Sequence, residues 1–429
     1  MNSYLPLAIG GVILFALLEA PLFTVIIGIS MVCLYAIDLD FMALQTIIIE
    51  INRLASMPVL VALPLFTFTG CLLTETNAPR RIMNFIQAVA GWLPGGLAIS
   101  ALCSCALFTA LTGASGVTIV ALGGILYPIL LEKGYGEKFS LGLLTTSGSR
   151  GLLFPPSLPI ILYGVVAQVD IGLIFKAALV PGLFIILVLA LYIVWHEWRK
   201  PPAAASPRTP VSFTRVKQAF LEGMWDWPIL LIILGGVYGG FVTIAEVSAL
   251  VLLYVLMVEC FILKEVSFLR QLPKVVIESA ILSGAIIIIL GAALGLTGYL
   301  VDEQIPDKIL EFLTSLTENR YLFLAGLNLF LLVVGCMMDI FSAIVIVVPI
   351  MVPVALTYGI DPIHLCIIFL VNLEIGYSTP PVGINLFIAS LKFEKPVTAL
   401  YRASVPWLIL LLLLLAVVTY VPTLSLFAL

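Results

Sequence analysis

Apolar runs about as long as a bilayer is thick follow one another along this chain almost without pause, and no other feature restricts its fold as much. They fall near 4–18, 21–37, 57–75, 95–131, 139–166, 172–195, 228–243, 246–263, 276–299, 321–357, 362–391 and 405–427. A helix needs about 20 apolar residues to span the hydrocarbon. Lipid offers no water to backbone polar groups, so segments of this length cross as helices. A water-soluble fold is excluded, because of 429 residues 62% are hydrophobic and only 10% charged, whereas soluble domains carry about a quarter charged residues. The chain reads as an all-α polytopic membrane protein embedded in a lipid bilayer. Twenty basic residues against 24 acidic ones leave a net charge of −4, which gives no basic field for nucleic acid.

Enzyme chemistry finds no footing. The seven cysteines lie in or beside apolar segments, without a CxxC pair, and read as small packing residues. His196 falls in a polar stretch and His364 at the start of a span. Neither belongs to an HExxH motif or offers a base to a Ser or Asp nucleophile. The N-terminus, Met1-Asn2-Ser3, has no basic residue before Arg53, unlike a cleaved signal peptide, and is read as leading into the first span.

Two runs are too long for one span and are broken halfway. The 95–131 run contains Thr112-Gly113-Ala114-Ser115-Gly116, and the 321–357 run carries Asp339 in its middle. Both read as re-entrant helical hairpins, whose irregular tips must be buried in protein or line a wet cavity. The polar stretch from His196 to Asp226, with Pro201, Pro202, Pro207 and Pro210, reads as a linker. A shift of 225 residues across it superposes Pro128 on Pro353, Gly134 on Gly359, Gly151 on Gly376 and Pro155-Pro156 on Pro380-Pro381. The same shift carries spans onto spans and one hairpin onto the other, as an internal duplication does. The expected organisation is a first repeat over 1–200, a cytoplasmic linker over 201–227 and a second repeat over 228–429. Each repeat has five spans and one hairpin, with broken helices near 139–166 and 362–391. An odd number of spans turns the second copy upside down, as in alternating-access transporters.

The distribution of basic residues gives an independent test. With the N-terminus outside, fifteen Lys and Arg fall on the cytoplasmic side and four, Arg53, Lys176, Lys308 and Arg320, on the outer side, as the positive-inside rule requires. The C-terminus is then also periplasmic, and the two hairpin tips approach each other near the midplane. The twentieth basic residue, Arg150, falls inside a membrane segment. Glu19 and Glu246 read as interface residues, and Trp195, Trp198, Trp225, Trp227 and Trp407 as a belt at the membrane boundaries.

A stretch that must cross the membrane reads Thr145-Thr146-Ser147-Gly148-Ser149-Arg150-Gly151-Leu152-Leu153-Phe154-Pro155-Pro156-Ser157. Its glycines and Pro pair interrupt the helical ladder and free carbonyl oxygens beside hydroxyls, a donor set for a hard cation such as Na⁺. The counterpart runs from Val371 and Asn372 through Gly376 and Thr379-Pro380-Pro381 to Asn385. Candidate Na⁺ ligands are Gly113, Ser115, Thr146, Ser147, Gly148, Asp339, Asn372, Gly376 and Thr379. Candidate substrate contacts are Arg150, Pro156, Ser157, Pro381 and Asn385. Asp339 has two readings, closing a cation shell or accepting amide hydrogen bonds that shape its tip. Arg150 also has two, since its planar fork suits a carboxylate or sulfonate substrate and equally a salt bridge to Glu374.

These motifs, with Tyr163-Gly164, Pro349, Pro353 and Val382-Gly383-Ile384-Asn385-Leu386-Phe387, resemble one family over essentially the whole chain. It is the large membrane subunit, the M or DctM-like component, of tripartite ATP-independent periplasmic (TRAP) transporters. The resemblance implies an elevator mechanism, with the hairpins and broken helices moving as a transport domain against a scaffold. It implies Na⁺ coupling, at least two ions being expected, and residence in the bacterial inner membrane. It also implies a small four-helix membrane subunit and a soluble periplasmic binding protein that delivers an organic acid. Position 150 is more usually small or apolar in that family, so Arg150 points to a substrate with an exposed acid group. The rival readings are a self-sufficient Na⁺- or H⁺-coupled anion symporter of the same superfamily and an intramembrane enzyme.

Overall fold

The computed structural model describes residues 10, 22–38, 45–199, 212–240, 242–427 and 429. The first apolar run (apart from residue 10), Glu19 and linker residues 201–211 lie outside these. Every regular element among the described residues is a helix. The first half contains α1 (Leu22–Asp38), α2 (Gln45–Ala55), α3 (Ala62–Thr74), α4 (Ala78–Ala90), α5 (Gly96–Thr112), α6 (Ser115–Glu132), α7 (Glu137–Ser147), α8 (Leu158–Ala167) and α9 (Ile171–Trp198). After the linker come α10 (Phe213–Glu222), α11 (Trp227–Gly239), α12 (Ile244–Ile262), α13 (Leu272–Asp302), α14 (Ile305–Leu316), α15 (Arg320–Met337) and α16 (Ile340–Thr357). The chain ends with α17 (Pro362–Gly376), α18 (Ile384–Phe393), α19 (Val397–Tyr420) and the short α20 (Thr423–Leu426).

Polar side chains fix where several helices begin. Asp170 accepts from the Leu173 amide at 2.8 Å to start α9, and Asp361 does the same for Ile363 at 2.7 Å at α17. Thr243 and Glu246 form a reciprocal capping box on α12. Glu246 thus caps its own helix.

Seven described helices are long and apolar enough to cross a membrane, or nine if two sharply bent pairs each count once. This is fewer than the ten spans and two hairpins expected from hydropathy. Part of the difference lies in the run before α1, and part in the interrupted segments, whose pieces α8, α17 and α18 are each short. The bent pairs are α3 with α4, at 75°, and α10 with α11, at 76°. Part of the stretch read as linker is thus the helix α10, and α10 packs on α4. An aromatic cluster joins them, with the Phe85 ring 4.4 Å from Trp227 and 6.1 Å from Phe220. Trp407 is also corrected: it is 1% exposed and packs 5.4 Å from Phe139 and 5.1 Å from Tyr192. It is a core residue and takes no part in a boundary belt.

The centre is built from the two interrupted segments. Helix α7 packs on α5 and α19, and α17 packs on α15. The pieces beyond the breaks cross over, α8 lying on α16 and α18 on α6. Glycine permits the closest approaches. A Cβ on Gly376 would stand 2.5 Å from the Gly335 carbonyl carbon and 2.9 Å from the Cys336 nitrogen, and one on Gly151 would stand 2.1 Å from the Ala106 oxygen. These are backbone atoms and cannot swing aside. Replacing Gly by Ala in a helix normally gains about 1 kcal/mol, so a loss would be diagnostic of contact. Gly376→Ala is expected to cost about 1–3 kcal/mol by overpacking, read as a lower melting temperature in detergent. A stabilised variant would mean that α15 and α17 stand farther apart.

Candidate functional site

Helix α7 ends at Ser147 and the chain stays irregular until Ser157; α17 ends at Gly376 and α18 begins at Ile384. The first break opens on Gly148 and the second follows Gly376, and each contains a Pro pair, so the last carbonyls of α7 and α17 lack their usual helical partners. Gly113, between α5 and α6, adopts φ +68°, a left-handed geometry that costs other residues a steric penalty. Its Cβ position is also taken by the Leu158 side chain at 2.7 Å.

The two halves meet at their breaks. Ser115 donates its hydroxyl to Asn385 Oδ1 at 2.8 Å, joining the first tip to the start of α18. Ser149 donates to the Glu374 carbonyl oxygen at 3.3 Å. Arg150 donates Nε–H to Thr146 O at 3.0 Å, and Nη2–H to Ser149 Oγ at 2.9 Å and Glu374 O at 3.0 Å. Its Nη1 lies 3.1 Å from Glu374 Oε2 in an ion pair whose side chains are 1% and 0% exposed. Of the two readings of Arg150, the geometry favours the salt bridge, because all three guanidinium nitrogens are engaged by protein oxygens.

The remaining expected residues divide by what holds them. Asp339 caps α16, accepting from the amides of Phe341 and Ser342 at 3.0 Å each and from the Ser342 hydroxyl. It shapes the second tip. Thr146 and Thr379 bond back to the carbonyls of Gly142 and Ile375, at 2.7 and 2.8 Å, as hydroxyls in apolar helices commonly do. Asn372 donates to Asn328 Oδ1 and Ile368 O, both at 2.8 Å. The Gly148 carbonyl accepts from Thr109 at 2.7 Å, and Gly376 serves the close packing described above. Ser147 and Ser157 are buried, with hydroxyls that lack a hydrogen bond. The Pro pairs differ: Pro155 and Pro156 are buried, while Pro380, Pro381 and Val382 are exposed.

Three contributors escape a motif-based reading. Thr109 bridges Gly148 O and Thr118 Oγ1, the latter at 2.6 Å. Tyr377 accepts from the Ile340 amide with its phenol oxygen, tying the second break to the second tip. Ser149, beside Arg150, joins the halves. Among the described residues, nine of the sixteen buried side-chain polar atoms without a hydrogen bond belong to residues 145–157 and 372–385, and two of the nine, Arg150 Nη1 and Glu374 Oε2, face each other in the ion pair. Buried polar groups are ordinarily satisfied, so this concentration marks a region able to receive a ligand or water. No cluster of three or more His, Cys, Asp or Glu suited to a metal occurs among the described residues. A cation held here would meet carbonyl and hydroxyl oxygens, the preference of hard ions.

A family model described as "Tripartite ATP-independent periplasmic transporter, DctM component" matches residues 9–424. The C4-dicarboxylate TRAP transporter large permease protein DctM of Pseudomonas aeruginosa is 38% identical over 369 residues, covering 86% of this chain and 85% of that protein. The isethionate TRAP transporter permease protein DctMQ of Oleidesulfovibrio alaskensis is 33% identical, covering 97% of this chain and 69% of that one. Among solved structures, the Alcanivorax borkumensis YdaH transporter shares the fold, with a TM-score of 0.62 at 14% identity over 95% of this chain and 97% of that one. With the match to the family model running nearly end to end, the chain belongs to the DctM component family of tripartite ATP-independent periplasmic transporters.

Proposed function

We propose that this subunit imports a small organic acid, a carboxylate or sulfonate, by Na⁺-coupled alternating access in the bacterial inner membrane. A soluble periplasmic binding protein delivers the acid, and a small four-helix membrane subunit completes the assembly. The observation that carries the reading is the junction of the two breaks, where Ser115 meets Asn385, Arg150 meets Glu374, and unsatisfied buried polar atoms concentrate. The names of relatives support the substrate class, since C4-dicarboxylates and isethionate are both small anions.

Inverted repeats and an elevator motion are part of this reading. A shift of 225 residues carries α6 onto α16 end to end, and α4, α8 and α9 onto α14, α18 and α19 to within a turn. That correspondence supports a duplicated fold, and the excess of Lys and Arg in the segments read as cytoplasmic supports periplasmic termini. The transport domain would comprise α5 to α8 and α15 to α18. The exposed second Pro pair, beside Thr379 and Asn385, supports substrate access from that side while the first break stays closed. Ser115, Ser147 and the carbonyls at the breaks are the proposed Na⁺ ligands, with Asn385, Pro381 and Ser157 facing the acid.

The test is uptake into proteoliposomes holding both membrane subunits, with the binding protein outside. Uptake should require an inward Na⁺ gradient and no ATP. Two Na⁺ entering with one monoanion down a tenfold gradient at about 100 mV release about 5 kcal/mol, enough for accumulation of several thousandfold. Undiminished uptake with choline in place of Na⁺ would overturn the coupling, and indifference to a panel of carboxylates and sulfonates would overturn the substrate class.

A further inference from the structure

We propose that the Arg150 guanidinium is a resident cation, permanently filling an oxygen cage between the two breaks that would otherwise take a monovalent metal ion. The proposal rests on the reading that the breaks handle cations, and it assigns one such place to the chain itself. Four oxygens converge on the guanidinium: Thr146 O, Glu374 O, Ser149 Oγ and the Glu374 carboxylate. Two carbonyls, a hydroxyl and a carboxylate form the donor set of a hard cation.

The placement of those carbonyls separates this arrangement from an ordinary ion pair. Thr146 lies in the last turn of α7 and Glu374 in the last turn of α17. The amides of Arg150 and Ser378, which would continue each helix, bond instead to Ser147 O and Ile375 O. Thr146 O and Glu374 O are thereby free to face the gap. Two helix C-termini, each carrying partial negative charge, aim at one point with a carboxylate beside it. A single positive charge faces all of them, and at 1% exposure the guanidinium supplies it without exchange with water. A resident charge never dissociates, so this place adds nothing to the ion count of a transport cycle.

The test compares the full chain in detergent with Arg150→Ala, Arg150→Lys and the double variant Arg150→Ala with Glu374→Gln. Melting temperatures are followed as NaCl replaces choline chloride at constant ionic strength. Raising Na⁺ from about 1 to about 300 mM should raise the melting temperature of Arg150→Ala by about 3 °C more than that of the unaltered protein. A few millimolar guanidinium should substitute for Na⁺ in that variant. Arg150→Lys, which keeps a tethered cation, should show no added Na⁺ dependence, and the double variant should lose it with the carboxylate. A Na⁺ response of Arg150→Ala parallel to that of the unaltered protein would overturn the proposal. So would its failure to fold even in high Na⁺ while the double variant folds, or its failure together with the double variant. Loss of Na⁺ coupling in the uptake assay would be a separate failure, because the comparison here is the difference between variant and parent and includes guanidinium as a probe.

Discussion

Arg81→Ala is expected to cost about 3–5 kcal/mol, the range for removing one partner from a buried ionic group. Arg81 on α4 is the hub for three acids from the other half of the chain. Nε and Nη2 grip Asp226 at 2.7 and 3.0 Å, Nη2 also reaches Glu259 at 3.0 Å, and Nη1 meets Glu265. Its side chain is 12% exposed, and those of Asp226 and Glu259 are 4% and 1% exposed. Alanine would strand two nearly dry carboxylates and leave Asn77, whose amide donates to Glu265 at 2.6 Å, beside a carboxylate no longer held by Arg81. Folded yield and melting temperature in detergent should both fall. Arg81→Lys should recover only part, because an ammonium cannot reproduce the two-pronged grip on Asp226. Adding Glu259→Gln to Arg81→Ala should recover some stability by removing the most buried charge. A loss below about 1 kcal/mol for Arg81→Ala would place the cluster with solvent-screened surface pairs.

Glu374→Leu is expected to be comparably damaging, at about 3–5 kcal/mol, and for the same reason. It leaves Arg150 buried in the protein with carbonyls and a hydroxyl but no counter-charge. The paired change Arg150→Met with Glu374→Leu should be much milder, since hydrophobic residues of similar volume often replace a buried ion pair at little cost. Folded yield and thermal stability of the two single variants and the double variant give the coupling energy directly. Near-normal stability of Glu374→Leu would mean that Arg150 finds solvent or another acid in the working protein.

What could be read from the sequence followed the strength of each physical signal. Long spans such as α9, α13 and α19 are continuous apolar runs, and the breaks at Ser147 and Gly376 sit where Gly and Pro interrupt those runs. Helices lying at steep angles were a different matter. In α4 the apolar residues Ile82, Met83 and Ile86 alternate with Arg80, Arg81 and Asn84, so a search for bilayer-length apolar segments passes over it. The same applies to α10, hidden in a stretch that its charges and prolines made look like linker. Partners distant in sequence were the least legible. Nothing local to Asp226, Glu259 or Glu265 announces that all three turn toward one arginine on α4. At the site, residue types were readable but the division of labour was not. Ser115 and Asn385, assigned to different ligands, bond to each other. Thr109, placed by packing against the first break, looks in sequence like any hydroxyl in an apolar helix.

Ser149 and Glu374 stand 225 residues apart, the same interval that relates the two halves of the chain. On the duplicated reading each is the counterpart of the other, and a residue that touches its own counterpart marks where an approximate two-fold axis passes. Arg150 has Ile375 as its counterpart, so the Arg150–Glu374 pair is where the two halves have diverged, right beside that axis. The pair is neutral as a whole. On the proposed elevator reading, a block carrying it would travel through the membrane field without electrical work on the pair's account, whereas each uncompensated charge would cost about 2.3 kcal/mol per 100 mV. On that same reading, the voltage sensitivity of transport would be left to the cargo and the ions proposed to accompany it.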